Sequence, residues 1–196
     1  SFGIGDRFAK EGPAQLKAMM KERNAGIPVM PVWNKSFREH QTVGSSHQQT
    51  RKEADQAVRT LGWNAPWYVD ADHINLSNVD EFIGYANFFT IDVADYIGKK
   101  PDEKDLERFV EANARLTGEM HIPGIEGPFH ITRKQILGIG QKYLHATQQA
   151  GQIYRYICEQ KGENNFVAEV SMDETDQPQS PVELLFILSA LAGESV

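Results

Sequence analysis

The sequence predicts an α/β protein built on a parallel sheet, of the (β/α) TIM-barrel type, with about five of the eight β/α units present. Two features carry that expectation. Short apolar runs at 2–5, 27–32, 67–72, 88–92 and 166–171 alternate with helical periodicities, and strand–helix order repeated in this way implies parallel strands joined by right-handed crossovers. Several of the runs end on carboxylates, at Asp6, Asp72, Asp92 and Asp173. Carboxyl ends of parallel strands are where α/β proteins build ligand sites. A complete, open doubly wound sheet is the alternative architecture. No phosphate-binding fingerprint follows any strand, because Gly3-Ile4-Gly5 lacks a third glycine and Arg7 interrupts the turn; a nucleotide fold is therefore disfavoured.

The elements follow in order. Phe2-Gly3-Ile4-Gly5 opens into Asp6-Arg7, and a helix begins near Pro13 with Leu16, Met19 and Met20 on one face and Gly26 after its end. The run at 27–32 reads as a strand made irregular by its prolines. A polar loop with aromatics, from Trp33 to His40, leads to a helix marked by Ala54, Ala57, Val58 and Leu61 and closed by Gly62. The third strand ends in Val69-Asp70-Ala71-Asp72-His73. The fourth is Phe88-Phe89-Thr90-Ile91-Asp92. A long excursion follows, with one helix around Leu106, Phe109, Val110 and Leu116, a Pro/Gly loop, and a long helix opened by Thr132 with Gln135. The fifth strand is followed by a Ser180–Glu183 capping box and a helix that is apolar nearly all round, which predicts heavy burial.

Composition bounds the function. The chain has 196 residues and a net charge of −7; without a basic stripe it is no general nucleic-acid binder. A single cysteine, Cys158, excludes an internal disulfide framework and thiolate clusters, and its apolar helical setting reads as a buried, inert thiol. No apolar run is long enough to cross a membrane, and no secretory leader is recognisable. A cytoplasmic protein follows as the expectation. Ser1 is not an initiator Met, and the strand pattern begins and the last helix ends at the termini; residues 1–196 read as one catalytic domain that is a piece of a longer protein.

Candidate chemistry gathers at the strand ends. Charged groups ending a buried strand cost desolvation unless paired or metal-bound. Asp72 and His73 are adjacent, so on a regular strand they point to opposite sides unless the chain is already turning. Helix capping by Asp70 or Asp72, with His73 in a surface loop, is the competing reading. Glu169 shares a strand face with Val167, Ser171 and Asp173. It is either half of an internal salt bridge or one of a pair of carboxylates suited to acid and base work. His73 offers an imidazole for a divalent cation, and carboxylate–imidazole mixtures suit Mn, Fe, Co, Ni or Zn. Arg7, Lys35 and Arg38 are the basic groups nearest this rim, placed to hold a substrate carboxylate, with a solvated loop charge at least as natural for Lys35. His40 and His47, in a polar loop, read as solvated.

Several stretches together resemble the tagaturonate epimerase family, bacterial enzymes of hexuronate catabolism. They are Ser1-Phe2-Gly3-Ile4-Gly5-Asp6-Arg7, Asp70-Ala71-Asp72-His73, Phe89-Thr90-Ile91-Asp92 and Glu169-Val170-Ser171-Met172-Asp173-Glu174-Thr175, followed by Pro178 and Ser180-Pro181. The resemblance implies a metal-dependent barrel enzyme that interconverts D-tagaturonate and D-fructuronate. By position, Asp72 matches the family's proton acceptor, Glu169 its proton donor and His73 a metal ligand; Arg7, Arg38 and Asp173 are the expected substrate-binding residues. The family's proteins are much longer, with later strands that supply further metal ligands, and Tyr96 stands where some relatives carry histidine. The partner implied is a small sugar acid, not a nucleic acid or a membrane. Alternatives are a metal-dependent aldolase or aldose–ketose isomerase, or a non-catalytic sugar-acid-binding fragment.

Overall fold

The computed structural model describes residues 1–172 and 178–196. It is a mixed α/β chain with a five-stranded parallel sheet, formed by β1 (Phe2–Gly5), β2 (Pro31–Ser36), β3 (Tyr68–Ile74), β4 (Phe88–Asp92) and, last in the chain, β7 (Val167–Ser171). Their order across the sheet is β1-β2-β3-β4-β7. The first three pairings are parallel. Val167 N–H donates to the Asn87 carbonyl before β4, and Val93 N–H after β4 donates to the Ser171 carbonyl, so β7 runs the same way. The strand order never reverses, so the sheet has no topological switch point of the doubly wound kind. The sheet is open, with β1 and β7 at its edges, and closure into a barrel is not part of the described structure.

The helices are α1 (Gly12–Asn24), α2 (Phe37–Val43), α3 (His47–Leu61), α4 (Asp80–Ile83), α5 (Glu103–Ala112), α6 (Arg133–Lys161) and α7 (Pro181–Gly193), with single 3₁₀ turns at Ala94–Tyr96 and Ala114–Leu116. A two-stranded antiparallel hairpin, β5 (Gly118–Met120) with β6 (Phe129–Ile131), interrupts the strand–helix alternation. Three-residue strands carry too few alternating positions to stand out from the Pro/Gly punctuation around them.

The chain divides into two compact units. The first comprises Ser1–Ile91 and Tyr156–Val170. Its core joins Leu16 and Met19 of α1 and Ala54 and Ala57 of α3 to Ile4, Trp33 and Val69 of the sheet. Helices α1 and α3 therefore cover the same sheet face. Lys161, at the end of α6, lies 5.8 Å from the Phe89 ring centroid and donates to the Ile83 carbonyl, closing that layer. The second unit comprises Asp92–Arg155 and Ser171–Val196; its core packs Phe109 and Val110 of α5 against Ile136 and Leu144 of α6 and Val182 and Phe186 of α7. Gly140 makes this approach possible, since a Cβ there would stand 2.7 Å from Leu106 Cδ1.

Local sequence explains most of the boundaries. Thr132 and Gln135 form the reciprocal cap of α6, and Ser180 with Glu183 that of α7. Gly62, at φ 66°, supplies the left-handed residue that ends α3. Three expectations are corrected. The second strand lies at Pro31–Ser36, not 27–32: Ile27 is half exposed, and Val32, Trp33 and Lys35 are buried. Lys35 Nζ donates to Ser45 Oγ at 2.6 Å, which lets a charged residue occupy a buried strand position. The segment after Trp33 is not a loop, because Ser36 and Glu39 build a capping box that starts α2. The last helix is not buried all round, since Leu184 and Leu188, one turn apart, are 48% and 55% exposed.

Candidate active site

The site begins with the two faces of β3. Val69 belongs to the helix-side core, so Asp70 and Asp72 look to the other face. The parallel register sets Asn34, Asp70 and Phe88 side by side, and Ser36 beside Asp72. The face opposite α1 and α3 thus carries Asn34, Asp70, Ser36 and Asp72 as a polar row near the strand ends.

Asp70 is 7% exposed and Thr90 is 4% exposed. Thr90 grips both carboxyl oxygens: its N–H donates to Oδ1 at 3.2 Å and its hydroxyl to Oδ2 at 2.9 Å. Burial pushes the Asp70 pKa up to about 7, and the negative charges of Asp72 and Glu169 reinforce the shift against the opposing Thr90 bonds. The same interaction shows that Asp72 on β3 and Glu169 on β7 both reach the surroundings of one buried carboxyl.

Past Asp70 the strand bends. The β3–β4 register shifts between Ala71 and Ile74, and His73 adopts φ 56°. A left-handed residue other than glycine costs on the order of 1–3 kcal/mol, and histidine tolerates it better than most. The bend decides what sequence alone left open. Instead of pointing to opposite sides, His73 Nδ1 and Asp72 Oδ1 stand 2.8 Å apart. Asp72 keeps 17% of its side chain exposed and His73 47%, so the pair is open to solvent. Asp72 does not cap a helix; its partner is the imidazole.

Glu169 lies mid-strand on the edge strand β7 and is exposed. The salt bridge weighed for it from sequence is not among the described ion pairs. Asp173 lies outside the described residues. Arg7 is exposed and 3.6 Å from Glu39 Oε1, and Arg38 is exposed on α2. The other strand-end carboxylates serve their own loops. Asp6 accepts from the backbone N–H groups of Phe8, Lys10 and Glu11. Burial acts to raise its pKa, but these bonds outweigh it and hold the carboxyl below its usual range. Asp92 Oδ1 accepts from Ala94 N–H at 3.0 Å.

A second polar cluster sits behind the sheet and overturns the solvated reading of three residues. Lys35 is 1% and His40 4% exposed. Ser45 Oγ joins them, 2.6 Å from Lys35 Nζ and 3.0 Å from His40 Nδ1. The His47 ring lies 4.1 Å from that of His40 and 3.8 Å from that of Phe82. Burial lowers the Lys35 pKa despite the charges of Glu39 and Asp6, and burial with the charges of His47 and Lys35 brings His40 down to about 4. No local pattern announces this cluster. Asp70, which the sequence offers only as a candidate helix cap, does carry a signal: it stands two residues before Asp72, one strand period away.

Among the described residues, no group of three or more His, Cys, Asp and Glu side chains is arranged to hold a metal ion. Among the described residues, the partly exposed His73 imidazole is a group that could serve as one ligand. A carboxylate on Nδ1 commonly fixes the tautomer and orientation of an imidazole that binds metal through Nε2.

The family model described as tagaturonate epimerase matches residues 1–196, the whole chain. The chain belongs to the tagaturonate epimerase family. A tagaturonate/fructuronate epimerase of Thermotoga maritima is 25% identical over 211 residues, an alignment covering all of this chain and 42% of that relative. Crystal structures of a fructuronate–tagaturonate epimerase from Cohnella laeviribosi, native and with one glycerol bound, superpose with a TM-score of 0.73 at 22% identity. They cover 99% of this chain and 41% of theirs, and the likeness is one of fold. The chain thus spans less than half the length of these tagaturonate epimerase relatives.

Proposed function

We propose that this chain carries the acid–base part of a tagaturonate/fructuronate epimerase. The observation that supports this best is the bulge at His73, which turns Asp72 and His73 together at the end of a buried strand with Glu169 on the same sheet. The two sugar acids differ at a hydroxyl-bearing carbon β to the ketone, whose C–H is not activated. Abstraction of the α proton would not invert that carbon. A retro-aldol and aldol sequence would. Asp72, with Oδ1 on His73, takes the proton of that hydroxyl; the C–C bond breaks and its electron pair passes into the enolate of the ketone. The new aldehyde turns its other face, the C–C bond re-forms, and Glu169 gives its proton to the regenerated alkoxide. The exposed Arg7 and Arg38 are suited to the substrate carboxylate. A divalent cation (Mn, Fe, Co, Ni or Zn) would take His73 as one of its ligands and supply Lewis acidity toward the ketone oxygen.

The unreversed strand order, with α1 and α3 on one face, supports a (β/α) barrel as the full architecture. Asp70 and Asp72 would then face its interior. No helix among the described residues is long and apolar enough to cross a membrane.

The test is conversion of D-tagaturonate to D-fructuronate by the full-length gene product, with and without chelator and added Mn²⁺. Chelator-sensitive interconversion supports the proposal. A folded, metal-loaded protein that leaves D-tagaturonate untouched but cleaves or isomerises another ketose or uronate moves the assignment to an aldolase or isomerase. In the same assay Arg7→Ala raises KM by about tenfold and changes kcat by less than about twofold, as for a group that binds the ground state and transition state alike. An unchanged KM removes Arg7 from the site.

A further inference from the structure

We propose that Asp70 is a positioning residue of this site: locked by Thr90 on both carboxyl oxygens, it holds a proton beside Asp72 and Glu169 and so limits the negative charge that an anionic uronate meets. The inference rests on the epimerase reading above.

The geometry suits a carboxyl that works in both protonation states. Thr90 N–H donates to one oxygen in either state. The Thr90 hydroxyl donates to the other oxygen when Asp70 is ionised and accepts from it when Asp70 is protonated. Asp70 is 7% exposed, so it acts through its neighbours and not by touching substrate. The groups facing it are few. Asp72 shares its strand and Glu169 reaches it from β7; Asn34 beside it on β2 and Thr90 on β4 do not ionise. Among the described residues both charged groups that act on Asp70 are acids, with the His73 imidazole beyond Asp72, and losing the Asp70 proton adds a negative charge to the group. A substrate carrying its own carboxylate is repelled by that charge, and repulsion acts on KM before it acts on the chemistry. Burial and the two acids bring this titration to about pH 7, inside the range where the enzyme can be assayed.

The experiment measures KM for D-tagaturonate between pH 6 and 8.5 in the full-length enzyme, with thermal unfolding over the same range, for wild type, Asp70→Asn and Thr90→Val. In the wild type KM rises about fivefold across that range, and in Asp70→Asn, which cannot ionise, it changes by less than about twofold. Thermal stability falls with rising pH in the wild type and not in Asp70→Asn. Thr90→Val deletes a donor that favours the ionised form, so the rise in KM moves to higher pH. A merely structural role predicts damage at every pH, not a better KM at high pH. If Asp70→Asn follows the wild-type KM profile, the inference fails and the epimerase reading stands. If Asp70→Asn does not fold, Thr90→Val decides: a midpoint that stays or moves down overturns the inference. A folded, metal-loaded wild type that converts no D-tagaturonate overturns both.

Discussion

Asp72→Asn in the full-length enzyme lowers kcat by about 10²–10⁴-fold, the range for removing a positioned general base, and leaves fold and metal content unchanged. The amide oxygen of asparagine still accepts from His73 Nδ1 at the position now 2.8 Å away, so the imidazole keeps its orientation. What asparagine cannot do is take the proton from the hydroxyl. The loss should appear in kcat and kcat/KM alike, because proton transfer is made only in the transition state. Steady-state kinetics with metal analysis of the purified variant checks this. A variant with near-normal turnover removes Asp72 as the base, and one that loses its metal assigns Asp72 to holding His73 instead. The strained bend makes the two outcomes separable, since it is set by the backbone at His73 and not by which atom Asp72 carries.

The second large effect is on stability in acid. His40 titrates at about 4 in the folded protein against 6.5 in an open chain. The folded state therefore binds fewer protons than the unfolded state below pH 6.5. Stability from this group is intact above that value and is lost progressively down to pH 4. A shift of this size corresponds to about 3 kcal/mol. Asp70 works in the opposite sense: its folded pKa of about 7 lies above the 3.8 of an open chain, so its contribution is full below pH 3.8 and is lost as pH rises through 7. The two partly cancel between pH 4 and 6.5, and total stability conceals both. Comparing wild type with His40→Asn by urea unfolding at pH 7 and pH 4 isolates the histidine, because Asp70 is common to both. Asparagine can still meet Ser45 Oγ, which now lies 3.0 Å from His40 Nδ1. The variant should lose markedly less stability than wild type between the two pH values; His47, whose pKa burial also lowers, leaves a residual slope. Equal losses in the two proteins would show that His40 is not the acid-sensitive group.

The sequence by itself determined the α/β class, the strand–helix order around the sheet and the capping boxes at Thr132 and Ser180, and it singled out Asp72, Glu169 and His73 as the candidate base, acid and imidazole. Each is a local property: a period of two or 3.6, a cap three residues wide, or a charged residue ending an apolar run. Other features belong to the tertiary structure, because they depend on partners far along the chain or on departures from a regular period. The bend at His73 exists only as a slip of β3 against β4, and without it the alternation of a strand sends Asp72 and His73 apart. The Asp70 carboxyl is gripped by a threonine 20 residues away, and its proton affinity is raised chiefly by burial, with Asp72 and, from a strand that arrives last in the chain, Glu169 adding to it. Lys35 and His40 read as exposed because polar residues usually are; only the packed fold shows that Ser45 supplies the hydrogen bonds that let both be buried. Pattern in a sequence reports which groups seek burial, and the assembled fold decides which polar groups are buried with them and at what cost in proton affinity.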